Sequence, residues 1–472
     1  MTGDPLLRYA PLLAPGTAED FAAACERPLP RVVWVNPVRA ADPDAVAAMI
    51  LRRCPEARPV PWWPRAFRLP ADTTPGAWIE HRLGLIHVQE EATLWPAALL
   101  DLTPGDRVLD LCAAPGNKTA QIAVRLDDAG LVVANERTRG RLSQLRYNLE
   151  RLGLTSVVVT RSDGNRFPIP ERLFDHALVD APCTCEGTTR KRGHRDTPDS
   201  LRRTLQSIQI GLLRRAIRAV RPGGTVVYAT CTYAPEENER VLDAISPEEA
   251  TIEPLTPPPG VTLAPGIPAW EGRQFRPDVV NAARLWPHLN DTGGFFVARL
   301  RRAPAADAAA GRPLGDHPVA APVGWERLDR RPLLALWADY YGLPPDVFGA
   351  LDFWRRTESD SLWAIHAGAA VPPSPVPETL GLRVRRGDKP DTQLANAFAR
   401  RYCDGATRHV VRLADEAGIR AFFAAEVLPV APPDGDGYYL ALGPSGVLGR
   451  ARAAYGVLRG EPSKSERTPP VL

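Results

Sequence analysis

The sequence has few of the features that mark secreted and membrane-embedded proteins. Only seven of its 472 residues are cysteine, and an odd number of scattered thiols does not make a disulfide framework. No stretch approaches the ~20 apolar residues that a membrane span needs. Acids and prolines interrupt the first twenty residues, which does not fit a secretory signal peptide. We therefore expect a cytoplasmic protein with reduced thiols.

A strong charge of either sign is also missing. The chain carries 58 basic and 55 acidic residues, for a net charge of +3. Total charge therefore gives no indication of a nucleic-acid partner, and only its distribution along the chain can do so. With 44% hydrophobic and 24% charged residues, the composition is that of a globular protein. The length suggests two to four domains.

The first 96 residues predict a small α+β domain. "RVVWVN" is typical of a strand, and "DPDAVAAMILRRC" has the apolar spacing of a helix capped by Asp42 or Asp44. "PVPWWPRAFRLP" is expected to be extended, because its prolines disfavour helix.

Residues 97–302 predict a different architecture, in which strands alternate with helices. The strands are "DRVLDLC", "GLVVAN", "SVVVTR", "FDHALVD" and "TVVYAT". Apolar, β-branched strands separated by amphipathic helices indicate a parallel sheet that is covered on both faces. We therefore predict a doubly wound α/β domain.

The remainder of the chain divides by composition. Residues 303–323 are rich in alanine and proline and are typical of a linker. Residues 324–373 predict a small module with one helix followed by turns. Residues 374–460 predict a β-rich module with one helix, "NAFARRYC". The tail, 461–472, is expected to be disordered.

The turn after the first strand of the α/β domain is rich in small residues. It reads "CAAPGNKT", from Cys112 to Thr119. Ligands of such sheets bind at the carboxyl ends of the strands, and small residues let a ligand approach the backbone there. The turn matches neither G-x-G-x-x-G nor the phosphate loop of nucleotide hydrolases. An ordinary strand-to-helix turn is the alternative.

Acidic residues follow three successive strands of this domain: Glu136, Asp163 and Asp180. Any one of them alone fits a solvated loop residue or a helix cap equally well. An acid at the second position can hydrogen-bond both hydroxyls of a ribose. Together the acids suit a neutral or cationic nucleoside better than a triphosphate, and S-adenosylmethionine has this character.

Two cysteines follow neighbouring strands in the predicted order, Cys183 in "DAPC" and Cys231 in "YATC". If the fourth and fifth strands pair, both thiols face one cleft beside the cofactor. The alternative is structural, since free cysteine is often buried. Zinc is disfavoured, because C-x-C with one distant cysteine lacks the paired spacing of a structural zinc site. We expect no metal.

A thiol beside a methyl donor indicates a definite chemistry. A thiolate that adds to C6 of a pyrimidine makes C5 nucleophilic enough to accept a methyl group. A base then removes the C5 proton and the thiolate leaves. Asp180 is expected to hydrogen-bond the cytosine ring and to stabilise its cationic adduct.

Several segments, in this order along the chain, resemble a known family. They are "HVQEEATLWPAALLDLTPGDRVLDLC", "CAAPGNKT", "ANERTRGRLSQLRYNLERLG", "DAPCTCEG", "VRPGG", "YATCTYAPEENE" and "DTGGFFVARL". Over residues 30–302 the chain resembles the Sun-type (Nol/Nop/Sun) RNA cytosine-5 methyltransferases. Residues 324–460 resemble the C-terminal modules of bacterial members that modify 16S ribosomal RNA, including a PUA-like RNA-binding module.

The resemblance implies a Rossmann-like methyltransferase fold and assigns roles to residues. It makes Cys231 the nucleophile and Cys183 the residue that assists release of the product. DNA cytosine-5 enzymes use the P-C cysteine as nucleophile instead, so this assignment rests on the resemblance. It also implies contacts to S-adenosylmethionine from Cys112, Ala113, Ala114, Pro115, Gly116, Asn117, Lys118, Glu136, Arg141, Asp163 and Asp180.

Two positions depart from the family pattern. Asn117 and Cys185 stand where the family has glycine. Asparagine tolerates left-handed backbone better than most residues, so Asn117 is expected to be harmless. Cys185 leaves the loop after Cys183 without a predicted geometry, and we expect no role in the chemistry for its thiol.

Positive charge is concentrated after the P-C motif, in "TTRKRGHRDTPDSLRR" (188–203). Such a run is either a solvated face or, beside a cleft for a base, a track for phosphates. Trp62, Trp63 and Trp286 are candidates for stacking on bases or for core packing.

We expect a monomer that binds RNA and no membrane, with 16S ribosomal RNA favoured and transfer RNA as the alternative. A hypothesis of another class is an RNA-binding assembly factor that keeps the fold without catalysis. The intact Cys183 and Cys231, together with the acidic set, argue against it.

Overall fold

The computed structural model describes residues 5–170, 173–193, 197–304, 321–468, 470 and 471. Most of the predicted linker lies outside these residues. No helix of the described part is long and apolar enough to cross a membrane.

The N-terminal domain is built on a four-stranded antiparallel sheet in the order β2-β3-β1-β4. Asp42 rather than Asp44 caps α2, because its carboxylate accepts the backbone N–H groups of Asp44 and Ala45 at 3.0 and 2.9 Å. The elements are α1 (Ala18–Glu26), β1 (Arg31–Val35), α2 (Pro43–Arg53), β2 (Arg58–Pro59), β3 (Ala66–Leu69), α3 (Ile79–Arg82), β4 (Ile86–Val88) and α4 (Trp95–Ala98).

The central domain carries the alternation of strands and helices that the sequence predicts. Its elements are β5 (Arg107–Asp110), α5 (Asn117–Arg125), β6 (Leu131–Asn135), α6 (Arg139–Leu152), β7 (Val157–Thr160), β8 (Phe174–Asp180), α7 (Thr189–Arg192), α8 (Asp199–Ala219), β9 (Val220–Thr230), α9 (Glu239–Asp243), β10 (Ala250–Glu253), β11 (Ala264–Pro265), β12 (Ala269–Trp270), β13 (Arg273–Gln274), β14 (Ala283–Leu285), α10 (Pro287–Asn290) and β15 (Phe295–Arg302).

The core of this sheet is parallel, in the order β9-β8-β5-β6-β7, and antiparallel β15 and β14 extend it beyond β9. After β7 the chain returns to the other side of β5. The strand order therefore reverses beside β5, and the crevice at the carboxyl end of this strand is where open α/β sheets bind ligands.

Helices cover both faces of the sheet. Val108 and Leu109, consecutive residues of β5, belong to opposite hydrophobic clusters. The cluster of Val108 includes apolar residues of α5 and α6, and the cluster of Leu109 includes Leu212 and Ile217 of α8. Strands that are buried on both faces need apolar side chains in both directions, which explains their unbroken β-branched runs. The doubly wound α/β fold is confirmed.

The C-terminal part begins with its own four-stranded sheet in the order β16-β17-β18-β20 and ends with another in the order β21-β22-β23-β24. Its elements are β16 (Trp325–Arg327), α11 (Arg331–Tyr341), β17 (Leu351–Arg356), β18 (Ser361–His366), β19 (Pro377–Leu380), β20 (Leu382–Arg385), α12 (Asn396–Tyr402), β21 (Val410–Arg412), α13 (Glu416–Ala424), β22 (Gly437–Gly443), β23 (Gly446–Ala454) and β24 (Val457–Gly460).

Two features of this region differ from the sequence prediction. Residues 374–460 contain a second helix, α13, besides the predicted "NAFARRYC". In addition, β19 pairs with β7 of the central sheet and β20 pairs with β18, so these strands join the other units. Strand pairing of this kind depends on edges that only the folded chain presents, and sequence pattern does not record it.

The N-terminal sheet and the last module share one hydrophobic core, in which Ile50 and Phe67 belong to the same cluster as Phe422 and Tyr439. The tail packs at the same junction. Glu466 is buried and forms an ion pair with Arg400. The described part of the tail therefore packs against the fold through Glu466, whose carbonyl also accepts a hydrogen bond from Arg82, where the sequence predicts disorder.

Candidate active site

The two cysteines predicted to share a cleft lie next to each other. Strands β8 and β9 pair in parallel, with Asp180 opposite Ala229. The loops that follow them leave the sheet at the same edge, and the Sγ atoms of Cys183 and Cys231 are 3.4 Å apart. Residues 48 positions apart in the chain thus present two thiols to one point in space.

Cys185 adds a third thiol to this pair. Its Sγ lies 3.9 Å from the Sγ of Cys183, and the three sulfur atoms all lie within 4.8 Å of one another. The backbone of Cys185 is left-handed, with φ of 61°, a conformation that favours glycine.

Asn117, the other position that departs from the family pattern, does not have left-handed backbone. Asn117 does not need left-handed backbone, because Gly116 before it takes that conformation with φ of 101°. Asn117 is instead the first residue of α5, and its Oδ1 lies 3.1 Å from Nε2 of His87.

The three thiols differ in their tendency to ionise. Hydrogen bonds with Cys185 and Cys231, together with burial, raise the pKa of Cys183 well above its usual value. Hydrogen bonds from the other two thiols lower the pKa of Cys185 to about 3, with help from the charges of Arg192 and Arg141. Of the three thiols, Cys185 is therefore the one whose ionisation is most favoured in the free protein.

Cys231 is mainly a neutral thiol in this state. Its hydrogen bond with Cys183 favours the thiolate, but the contact with Cys185, burial and the charge of Asp180 outweigh it and raise the pKa of Cys231. Cys231 must therefore lose its proton before it can act as a nucleophile.

Two buried glutamates that the sequence prediction missed position the cysteine loops. Glu237 accepts the backbone N–H of Thr184 at 3.1 Å and the side-chain amide of Gln209 at 2.8 Å. Burial raises the pKa of Glu237 to about 7, although these donors oppose the rise. The acidic run "APEENE" (234–239), which follows Thr230 and Cys231 closely in the sequence, was the available signal for this group. Fully buried acids need partners, and Glu237 has them.

Glu186, in the loop after β8, also accepts hydrogen bonds that hold the cysteine loops in position. Its Oε2 accepts the hydroxyl of Thr232 at 2.5 Å and that of Tyr9 at 2.8 Å. Its Oε1 accepts Nη2 of Arg202 at 2.8 Å. The residue after Cys185 is thus tied to the residue after Cys231, which limits relative movement of the thiols.

Glycines allow the loops to approach closely. Gly187 donates its N–H to the carbonyl of Cys231 at 2.9 Å, and Gly294 donates to the carbonyl of Gly187 at 2.8 Å. A Cβ added at Gly294 would lie 2.1 Å from the ring of Tyr233. No side chain fits at this position without displacement of Tyr233, which lies in the loop after β9.

Gly294→Ala is therefore expected to lower stability by about 3 kcal/mol, the upper end of the usual cost of overpacking. Thermal unfolding of the purified variant measures this. Gly140→Ala is the matched control, because an added Cβ at that exposed helix position meets nothing within 4 Å. Its stability should stay equal or rise by up to about 1 kcal/mol. Equal melting temperatures for the two variants would contradict the packing argument.

The turn between β5 and α5 forms the floor of the crevice. A Cβ on Gly116 would lie 2.8 Å from Cδ1 of Leu145, so the backbone passes directly over α6. Arg141 donates a hydrogen bond from Nη2 to the carbonyl of Ala114. The small side chains of this turn let its backbone pack closely on α6, and Cys112, Pro115 and Asn117 are its partly exposed residues.

The acids at the strand ends have individual partners. Glu136 is buried, accepts the N–H of Thr138 at 2.7 Å and lies 3.3 Å from Nη1 of Arg141. Asp180 lies 2.6 Å from Nζ of Lys118. Asp163 accepts the N–H of Asn165 at 3.1 Å, as a helix cap does.

Asp110 at the end of β5 is an acid that the sequence prediction did not include. It is 1% exposed and accepts the hydroxyl of Thr119 at 2.7 Å. Burial raises its pKa to about 7. Its position within the apolar strand "RVLDL" was the available signal, because an acid there must be buried.

Part of the predicted phosphate track has a structural role instead. Arg190 lies 2.8 Å from Asp291 and donates to backbone carbonyls of 27, 28 and 292. Arg202 is bound to Glu186. These guanidinium groups are used inside the protein, and Lys191 and Arg192 remain exposed. Residues 194–196 of the run lie outside the described part.

The three candidate tryptophans differ in their burial. Trp286 is 2% exposed and stacks on Tyr233 at a ring distance of 5.1 Å, which makes it a core residue. Trp63 is buried, and Trp62 lines an apolar cavity of about 440 Å³ together with Trp63 and Trp95. Of the three candidates, only Trp62 retains substantial exposure.

Comparison with protein families gives a match over the central domain. Residues 97–301 match the family described as "16S rRNA methyltransferase RsmB/F". The ribosomal RNA small subunit methyltransferase F of Klebsiella pneumoniae (strain 342) is 36% identical over 316 residues, which are 64% of this chain and 63% of that protein. The protein of the same name from Citrobacter koseri is 36% identical and covers 65% of each chain. The match thus spans slightly less than two thirds of these relatives.

Solved structures give the same result for the fold. A methyltransferase homologue from Pyrococcus horikoshii superimposes with a TM-score of 0.55 and 33% identity, over 63% of this chain and 97% of that one. NSun6 from Pyrococcus horikoshii, solved with SFG, has a TM-score of 0.55 at 19% identity, over 64% of this chain and 98% of that one. The second likeness concerns the fold alone.

Proposed function

Because this chain belongs, through residues 97–301, to the RsmB/F family of methyltransferases, we propose that it methylates C5 of a cytosine in 16S ribosomal RNA. S-Adenosyl-L-methionine is the methyl donor. The observation that carries the proposal is the pair of thiols, Cys183 and Cys231, 3.4 Å apart at the ligand edge of the sheet. Two adjacent thiols suit an enzyme in which one sulfur bonds to a pyrimidine and the other assists release of the product.

The crevice beside β5 suits the donor. Cys112, Pro115 and Asn117 are the partly exposed residues of the turn that are proposed to line it, and the carboxylate of Glu136 is a proposed partner for ribose hydroxyls. When bound, S-adenosyl-L-methionine supplies the electrophilic methyl group that an activated C5 takes up. The residues proposed to hold it are Cys112, Ala113, Ala114, Pro115, Gly116, Asn117, Lys118, Glu136, Arg141, Asp163 and Asp180.

Cys231 is the proposed nucleophile. Its sulfur bonds to C6 of the cytosine after its proton has left, and the electron pair of the C5–C6 double bond moves to C5. The pKa of Cys231 is raised in the free protein, so its proton is proposed to pass to solvent as the base enters. Lys118 lies close enough for its charge to stabilise the thiolate.

Cys183 is proposed to assist the second half of the reaction. A base takes the C5 proton, the electron pair of that C–H bond restores the C5–C6 double bond, and the Cys231 sulfur leaves as a thiolate. A thiol 3.4 Å from the leaving sulfur is within reach of both events. The ties from Glu237 and Glu186 keep the two sulfurs at this separation.

Asp180 is proposed to contact the ring of the cytosine. Its carboxylate is partly exposed and is held by Lys118 at 2.6 Å. A carboxylate beside N3 and the exocyclic amine stabilises the positive charge that the ring acquires on attack. The Lys118 contact orients Asp180 for this role.

The RNA partner is proposed from the relatives, whose names refer to small-subunit ribosomal RNA. The target base must leave its stack to reach the thiols, and exposed Lys191 and Arg192 lie near the cleft for phosphate contacts. Residues 374–460 are proposed as a PUA-like RNA-binding module. Transfer RNA as substrate, and an assembly factor without catalysis, are the alternatives.

A deletion strain tests the proposal. We expect 16S ribosomal RNA from the parent to contain one 5-methylcytosine that the deletion strain lacks, visible as a loss of one methyl mass on a cytosine-containing fragment. Expression of the wild-type gene should restore it. A change in transfer RNA alone would favour the first alternative, and no change in any RNA would favour the second.

A further inference from the structure

We propose that Cys183, Cys185 and Cys231 form a binding site for a thiophilic divalent cation, Zn²⁺ first among them, and that its occupancy blocks methyl transfer. The site would act as an inhibitory control of the catalytic centre. The part of the proposal that concerns inhibition rests on the proposed function, whereas the part that concerns binding does not.

The geometry of the three sulfurs matches the requirements of zinc. A Zn–S bond of about 2.3 Å places tetrahedral ligands about 3.8 Å apart. The sulfur separations of 3.4 Å and 3.9 Å lie on either side of this value, and all three sulfurs fit within 4.8 Å. Small side-chain rotations suffice to bring the ligands to bonding distance, and a fourth position stays open to water.

The sequence spacing concealed this arrangement. C-x-C supplies two ligands, and the third comes from the next strand of the sheet. The pairing of β8 with β9 brings Cys231 to the other two thiols, so the ligand set exists only in the folded chain. Among the described residues, it is the one group of three or more metal-binding side chains close enough to share an ion.

The charge around the sulfurs favours thiolates. The positive charges of Arg192 and Arg141 act on Cys185 and favour an anionic set of ligands there. The cation displaces the protons of Cys183 and Cys231 to solvent, as metal binding to thiols does. Three thiolates and one divalent cation carry a net charge of −1, which the nearby basic side chains offset.

The backbone conformation of Cys185 does not depend on its side chain. The left-handed φ of 61° is one that glycine adopts without strain. Replacement by glycine therefore removes the third ligand and the sulfur contact of 3.3 Å to the carbonyl of Cys183, and it keeps the backbone conformation unstrained. A cation held by all three sulfurs would occupy Cys231 and prevent it from bonding to C6.

Titration of the reduced, metal-free full chain with Cd²⁺ tests the binding directly, since cadmium–thiolate bonds absorb in the ultraviolet. We expect one Cd²⁺ per chain, displaced by Zn²⁺. Cys185→Gly and Cys185→Ser should weaken binding by at least about 100-fold, because even outer-shell changes cost about 10- to 100-fold. The control is Cys54→Ser, which replaces a buried thiol at the C-terminal end of α2. This variant should bind Cd²⁺ as the wild type does.

The titration contains neither RNA nor methyl donor, so it remains informative if the proposed function fails. In a methylation assay, Zn²⁺ should inhibit the wild type more than tenfold and a chelator should restore activity. Cys185→Gly and Cys185→Ser should retain activity within about tenfold and resist Zn²⁺. Absence of cadmium–thiolate absorption in the wild type overturns the proposal, as does equal affinity in the Cys185 variants or an equal loss in Cys54→Ser.

Discussion

Cys231→Ala is expected to abolish methylation, with a loss of at least about 10⁴-fold in rate, or about 5.4 kcal/mol on the barrier. Without this sulfur no bond to C6 forms and C5 stays unreactive. The measurement is transfer of labelled methyl from S-adenosyl-L-methionine to small-subunit ribosomal RNA from a deletion strain. No RNA–protein complex should survive denaturing electrophoresis.

The buried thiol of Cys403 supplies the control. Cys403→Ala removes a sulfur far along the chain from the cleft and should leave the methylation rate near that of the wild type, apart from a stability cost. If Cys231→Ala still formed a covalent complex with RNA, the roles of the two cysteines would be reversed. The thermal unfolding of both variants distinguishes lost chemistry from lost folding.

Cys183→Ala is expected to have the opposite effect on the covalent complex. Bond formation by Cys231 should persist, while release slows by at least about 100-fold, within the range that a positioned proton-transfer group contributes. The enzyme should therefore accumulate as a denaturant-stable complex with RNA. Turnover falls, yet the cytosine in the trapped complex has already acquired its methyl group.

The double variant Cys183→Ala with Cys231→Ala separates the two roles. It should form no complex, because trapping requires the bond that only Cys231 makes. A complex of equal yield in the double variant would show that another residue attacks the base. A wild-type release rate for Cys183→Ala would remove this residue from the mechanism.

Much of the central domain was predictable from the sequence. Unbroken β-branched runs indicate strands buried on both faces, and the amphipathic segments between them indicate the covering helices. This pattern predicts β5, β6, β7 and β8 with small errors at their ends, whereas β9 begins at Val220, five residues before the predicted strand. Since ligands bind at the carboxyl ends of such strands, it also predicts a shared ligand edge for Glu136, Asp180, Cys183 and Cys231.

The sequence was less informative about contacts between residues that lie far apart in the chain. The ties of Glu237 and Glu186 to the cysteine loops depend on hydrogen bonds between four separate segments, which no local pattern records. The basic run after Cys183 shows the same limit, because Arg190 and Arg202 turned out to be internal ion-pair partners. Charge in a sequence does not reveal whether the charge is used inside the fold or faces a ligand.

The sequence by itself determined the fold of the central domain and the residue types at its ligand edge, because periodicity and strand ends are local properties of the chain. Only the tertiary structure decided that the sulfurs of Cys183, Cys185 and Cys231 meet within 4.8 Å. That distance depends on the parallel pairing of β8 with β9 and on glycines that let three loops touch. Such contacts join residues far apart in sequence, and their distances are fixed by packing.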